Sequence, residues 1–258
     1  MNAAASKTAR PASPGSYLAR AIRSSTGMKW VMALTGLGLF GFVIAHVLGN
    51  LQVFLGYEQI NAYGAFLKGS PGLLWTLRLL LLVAVVLHIW AGVRLSRINH
   101  AARPQPYVKK SWREASWFSR YMLVSGVLVF AFIVFHLLHF TIGTVFPEDF
   151  ALRDPQMRHD VFRMMLLGFS RPWVVAVYVV AMLLLFFHLA HGIWSMTQSM
   201  GIWGPRYTPT MIKASVIVAL VLAISYAIIP IGLFAGAVPD YAVEKAAAEA
   251  QQNGRAQP

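Results

Sequence analysis

Five stretches of the chain are apolar almost without interruption, over residues 30–55, 73–95, 119–146, 173–200 and 211–236. Each is long enough to cross a hydrocarbon core of about 30 Å as a helix, with some tilt. Polar residues collect between them, and Pro71, Pro147, Pro172, Pro205 and Pro209 punctuate the connections. The pattern predicts an all-α fold, an integral membrane bundle of five transmembrane helices. A flexible basic leader (1–27), with a short interfacial helix around 17–24, precedes the bundle (28–236). A polar tail (237–258), Ala-rich over 242–250, follows it. Gly36, Gly38 and Gly41 suit close approach of helices in the first span. No internal sequence repeat stands out, and no cleaved signal peptide is expected, because the first apolar run lacks the short core and small-residue site of one.

Composition agrees with the pattern. Of 258 residues, 57% are hydrophobic and 12% charged, against roughly 45–50% and 25% in soluble domains, and the mean hydropathy is +0.59. The net charge of +13 would suggest nucleic acid in a soluble protein, but its distribution gives it another meaning. Residues 1–29, 94–120 and 197–213 hold fourteen Lys/Arg and one acid, whereas 56–72, 147–171 and 236–258 hold seven and eight. By the positive-inside rule the N-terminus is cytoplasmic and the C-terminus outside. No nucleic-acid partner is implied. The expected location is a membrane, crossed several times.

Cysteine is absent, which excludes disulfides, thiolate ligands, covalently attached haem c and a cluster held by four thiolates of this chain. A bound metal must therefore be held by histidine. Histidines occur in four of the five spans: His46, His88, the doublet His136/His139 and the doublet His188/His191. Such groups are costly in lipid and face a protein interior, a cavity or a cofactor. Lys29 to His46, Pro71 to His88 and Arg171 to His188 are each 17 residues, and Arg120 to His136 is 16. Each first histidine thus lies about 25 Å along its helix. Because consecutive helices run in opposite directions, His46 and His136 share one depth near the outer face, and His88 and His188 another nearer the cytoplasm.

Two pairs at two depths suit two metals, each held from opposite sides by different helices. A macrocycle does not fit between adjacent turns of one helix, so neither i,i+3 doublet supplies both ligands of one haem. The helix rise separates the two depths by on the order of 15 Å, a spacing suited to electron transfer in a bundle core. From the spacing alone the readings are a di-haem protein, a histidine-lined proton or ion path, and a structural bundle. Which histidine of each doublet would ligate is open at this point.

Several segments resemble the di-haem b-type membrane subunit of succinate dehydrogenase and fumarate reductase, in its five-helix single-chain class. They are Met32-Ala33-Leu34-Thr35-Gly36, His46-Val47-Leu48-Gly49-Asn50-Leu51, Asn61-Ala62-Tyr63, Leu73-Leu74-Trp75-Thr76-Leu77-Arg78 and His88-Ile89-Trp90-Ala91-Gly92. They continue with Ala102-Arg103-Pro104, Ser119-Arg120-Tyr121-Met122, Phe135-His136-Leu137-Leu138-His139-Phe140 and His188-Leu189-Ala190-His191-Gly192 with Ser195, Gln198 and Gly201. The resemblance covers residues 24–236 and rests on the order and spacing of these motifs together.

In the family's fourth helix the ligand stands four residues before a glycine and six before an aromatic, and Gly192 and Trp194 point to His188. In its third helix the ligand follows a glycine by ten residues, and Gly126 points to His136. The resemblance thus implies two haems b, the proximal one on His88 and His188 and the distal one on His46 and His136. It implies an electron-transfer anchor of a succinate:quinone oxidoreductase, bound to flavoprotein and iron–sulfur subunits that carry the dicarboxylate chemistry. The electron partner would be a membrane quinone, usually menaquinone in this class. A higher oligomer of the complex is compatible with the pattern. The other readings are a cytochrome b anchor of a hydrogenase or formate dehydrogenase, and a histidine-lined transporter.

Further residues are candidates for haem propionates or quinone. Arg78 lies inside the second span, where the alternative is snorkelling to the outer interface. Lys29 and Arg120, with Ser24, Ser25, Arg97 and Arg103, lie on the cytoplasmic side and serve equally as topology charges or docking contacts. His139 and His191 follow the ligands by one turn and could bond propionates or quinone or relay protons. No Asp or Glu lies in any span, so a transmembrane carboxylate path is not expected, although Glu58 lies near the outer loop. Met164, Met165, Trp194 and Trp203 read as packing or interfacial residues.

Overall fold

A computed structural model of the chain describes residues 22, 24–102, 121–202 and 204–239. Arg103, Arg120, Trp203, the leader up to residue 21 and the Ala-rich tail lie outside the described residues.

Helix α1 spans Ser25–Asn50, with Ser24 Oγ accepting the Gly27 N–H at 3.0 Å as its N-cap. A 3-10 turn, Leu51–Leu55, carries it onward to Gly56, whose φ of 103° turns the chain into α2, Tyr57–Gly69. Helix α3, Pro71–Ala101, starts on proline, whose missing N–H costs nothing at a first helical position. Helix α4, Met122–His136, continues as a π turn, Leu137–Ile142. Gly143 ends it at φ 79°, where a Cβ would run into the Phe150 ring. Short helices α5, Pro147–Phe150, and α6, Val161–Phe169, lead to α7, Pro172–Ser199. Helix α8, Thr208–Phe234, follows, with Pro230 inside it.

Five of these segments are long and apolar enough to cross a membrane: Ser25–Leu55, Pro71–Ala101, Met122–Ile142, Pro172–Ser199 and Thr208–Phe234. The expected five-helix, all-α class is what the structure has, and the only extended pairing among the described residues is an isolated bridge between Arg153 and His159. The helices outrun the apolar runs that announced them. α3 passes through Arg94 and Arg97 to Ala101, because backbone hydrogen bonding does not stop where the lipid does.

Helix α1 packs on α3 and α7, α4 packs on α7, and α8 packs along α7. The densest core gathers at one end, where Val47, Val53, Tyr57, Phe162, Phe169, Val174, Tyr178 and Ile229 are buried together. A polar lock closes that end. Asn61, fully buried, donates to Asp154 at 3.3 Å and Asp160 at 3.1 Å and accepts the Phe162 N–H at 3.0 Å. Asp160 in turn caps α6 by accepting the Arg163 N–H. Arg158 ties α2 to this loop through Asp154 at 2.7 Å and through both carboxylate oxygens of Glu58. Elsewhere the spans expose Leu, Val, Phe and Trp outward, as helices solvated by lipid do.

Candidate functional site

The tertiary packing brings the histidines together in two facing pairs. His46 of α1 and His136 of α4 lie with ring centroids 5.7 Å apart and planes at 81°. His88 of α3 and His188 of α7 lie 6.3 Å apart at 61°. Two imidazole nitrogens held about 2 Å from one metal place their ring centroids roughly 6 Å apart. Both pairs have that separation, and in both the partners come from different helices. Among the described residues no three His, Cys, Asp or Glu side chains gather on one point. The fold offers facing pairs of imidazoles drawn from different helices.

Hydrogen bonds decide which ring nitrogen is available. Thr35 Oγ1 lies 3.2 Å from His88 Nδ1 and donates its hydroxyl proton to Val31 O at 2.7 Å. With that proton committed, Oγ1 accepts from Nδ1–H, and the lone pair of His88 is on Nε2. Ser125 does the same for His188: its Oγ lies 3.3 Å from Nδ1 and donates to Met122 O at 3.1 Å. An imidazole whose second nitrogen donates to a fixed acceptor is the usual form of a metal-ligating histidine. Each hydroxyl is followed by a glycine that lies against the ring. A Cβ on Gly36 would come 3.4 Å from His88 Cε1, and one on Gly126 equally close to His188 Cε1.

The other pair is held differently. Tyr178 Oη lies 3.2 Å from His136 Nδ1 and 3.1 Å from His139 Nδ1. His46 Nε2 accepts from the Asn50 side-chain amide at 3.2 Å, and the same amide nitrogen donates to His46 O at 2.8 Å. A metal on His46 Nε2 would displace the first of these bonds and leave the second.

The model of the succinate dehydrogenase/fumarate reductase transmembrane subunit family matches the chain over residues 6–100 and 99–228. The chain belongs to this family. A relative is the succinate dehydrogenase cytochrome b558 subunit of Bacillus subtilis, 24% identical over 189 residues, which cover 72% of this chain and 84% of that protein. No solved structure matches significantly.

Family membership makes the protein a multi-pass membrane subunit of a succinate dehydrogenase or fumarate reductase complex. The two matched stretches also divide the site. The first contains His46 and His88 and the second His136 and His188, so each facing pair takes one histidine from each stretch. The internal correspondence is close at the site. Thr35-Gly36 and Ser125-Gly126 end ten residues before His46 and His136, and Arg78 and Tyr178 each stand ten before His88 and His188. Sequence reading held Thr35 and Asn50 only as parts of motifs, without these contacts, and did not single out Ser125 or Tyr178. The repeated hydroxyl-glycine pair was the available signal, hidden because the repeat is in spacing rather than in residue identity. Gly126, the marker for His136 along the chain, touches His188 in space.

The remaining residues singled out from sequence fall in varied places. Arg78 is exposed, its guanidinium 5.1 Å from the Trp75 ring centroid. Lys29 is exposed at the start of α1, and His191 is half-buried one turn beyond His188. His139 is buried, 2% exposed, and stacks on Phe140 at 3.8 Å. Glu58 is held by Arg158, whose hydrogen bonds keep its carboxyl below the usual range.

Proposed function

We propose that this subunit is a di-haem cytochrome b that anchors the flavoprotein and iron–sulfur subunits of a succinate:quinone oxidoreductase. It would connect them to a membrane quinone, menaquinone in this class. The observation that carries the reading is a facing histidine pair at each of two places along the bundle, each partner drawn from a different helix. His88 and His188 would hold the haem nearer the iron–sulfur subunit, and His46 and His136 the distal one. When bound, each haem supplies a one-electron couple whose potential depends on its axial ligands and burial.

The chain's own work is positioning. Thr35 and Ser125 keep Nε2 of the proximal pair unprotonated, and Gly36 and Gly126 leave room for the rings. Lys29, Arg120, Arg78, His139 and His191 are the groups available to propionates or quinone. The distribution of basic residues supports a cytoplasmic N-terminus and an outer C-terminus, and the Bacillus subtilis relative supports a bacterial cytoplasmic membrane. Succinate and fumarate would be handled by the other subunits.

Reduced-minus-oxidised spectra of the purified complex test the reading. Two b-type components should appear, and succinate should reduce them and a menaquinone analogue. Absence of b-type absorbance rejects it. His188→Ala should remove one component while His191→Ala leaves both, and the reverse result would move the ligand to His191.

A further inference from the structure

The two histidine pairs differ in what stands behind the ligand. At His88 and His188 the hydrogen-bond chain ends at once, because Thr35 and Ser125 pass their protons to carbonyls of their own helices. Behind His136 it continues. A single phenol, Tyr178 Oη, lies between two Nδ1 atoms at 3.2 and 3.1 Å, and it has one proton to give. A histidine that ligates through Nε2 carries its proton on Nδ1, so His136 Nδ1–H donates to Oη. Oη–H is then free to donate only onward, to His139 Nδ1, which makes His139 the Nε2–H tautomer.

The surroundings hold these groups in place. Tyr178 is 6% exposed, and Phe132 and Phe169 lie edge-on to its ring with centroids at 4.9 Å. His139 is pinned against Phe140, and a Cβ on Gly168 would come within 2.9 Å of its Nε2. The π turn that begins at Leu137 sits where both histidines of the doublet reach one hydroxyl, a placement typical of π turns at functional sites.

We propose that Tyr178 is the positioning residue of the distal ligand His136, and that His139 is the acceptor that orients Tyr178. The relay His136 Nδ1–H to Tyr178 Oη–H to His139 Nδ1 fixes the tautomer of both rings. It also makes His136 a more electron-rich ligand than one without an acceptor, which favours the oxidised iron. This rests on the di-haem reading, and it gives His139 a role toward the ligand rather than toward a propionate or quinone.

The experiment is a potentiometric titration with EPR of the ferric complex, on wild type, Tyr178→Phe, His139→Leu and His139→Gln. Phe keeps the ring and its aromatic contacts and removes only the hydroxyl. Tyr178→Phe should raise the midpoint of the distal component and move its low-spin EPR line, leaving the proximal component where it was. Loss of the distal haem alone is the stronger form of the same result. His139→Leu should reproduce part of the shift, and His139→Gln, which restores an acceptor for Oη–H, should reverse it. If Tyr178→Phe does not assemble, the Leu and Gln variants decide by the same criterion. A wild-type complex with two components, and variants that leave both unchanged or move both alike, would overturn this inference alone. A wild type without two components would instead overturn the di-haem reading.

Discussion

Thr35 and Ser125 are small residues with a large assigned task. Each hydroxyl donates to its own helix backbone and so presents an acceptor to an imidazole of the neighbouring helix. Removing such a partner typically lowers metal affinity about 10- to 100-fold. Ser125→Ala should therefore weaken haem retention at the proximal pair by about that factor, measured as haem per protein after dilution, with the distal haem unaffected. Steric change should be harsher. A Cβ on Gly126 fits at 3.4 Å from His188, but the branches of Gly126→Val cannot, and that variant should show a single b component. Finding two would mean that the α4–α7 contact yields more easily than its geometry implies. At this scale the sequence was only half legible. Histidines announce themselves by rarity in lipid, whereas a Thr or Ser in a span looks like any other small residue until its partner is known.

The element that holds the distal end together is the lock between α2, the loop 151–160 and α6. Its members differ in exposure, and that orders the expected costs. Glu58 has 62% of its side chain exposed, and such ion pairs contribute about 0–1 kcal/mol, so Glu58→Gln should change thermal stability little. Asp154 is fully shielded at its carboxylate, and breaking a buried pair costs about 3–5 kcal/mol. Arg158→Met, which leaves that charge unpaired, should lower the unfolding temperature markedly and open the loop to protease.

Acid should act on the same element. Burial, followed by the charges of Lys68 and Arg153, lowers His159 to about 4 from an ordinary 6.5. A base depressed in the fold contributes stability above its unfolded value, and that contribution drains as pH falls from 6.5 towards 4. Glu58, an acid depressed by Arg158, loses its contribution in the same direction but lower, below its ordinary 4.5. Loop proteolysis should therefore rise on acidification from about pH 6.5, and His159→Gln should remove the upper part of that dependence.

Over the whole molecule, the two stretches that match the family model each contribute one histidine to each pair. Damage to either half should thus produce the same phenotype at a given depth. His88→Ala and His188→Ala should lose the same spectral component, and His46→Ala and His136→Ala the other, as read by low-temperature difference spectra. If the losses instead grouped His46 with His88, each haem would belong to one half and the facing geometry would be irrelevant to ligation. The exposed Leu, Val, Phe and Trp of the spans need no further burial in a bilayer, which explains how a bundle with so modest an internal core holds its shape. Close fits at Gly36 and Gly126, and side-chain hydrogen bonds such as Tyr226 Oη to Val43 O at 2.7 Å, take the place of a hydrophobic driving force that lipid does not supply.

The number of spans, their limits to within a turn or two and which histidines share a layer followed from sequence alone. A bilayer imposes one length on any helix that crosses it, and helix rise turns residue number into depth. Depth says which histidines share a layer; it says nothing of which faces meet. That was decided by packing: α1 against α3 and α4 against α7 place Thr35 behind His88 and Ser125 behind His188. The π turn after His136 places both members of its doublet on Tyr178. Those contacts join residues 39 to 63 positions apart, and a helical period, being local, carries no information about them.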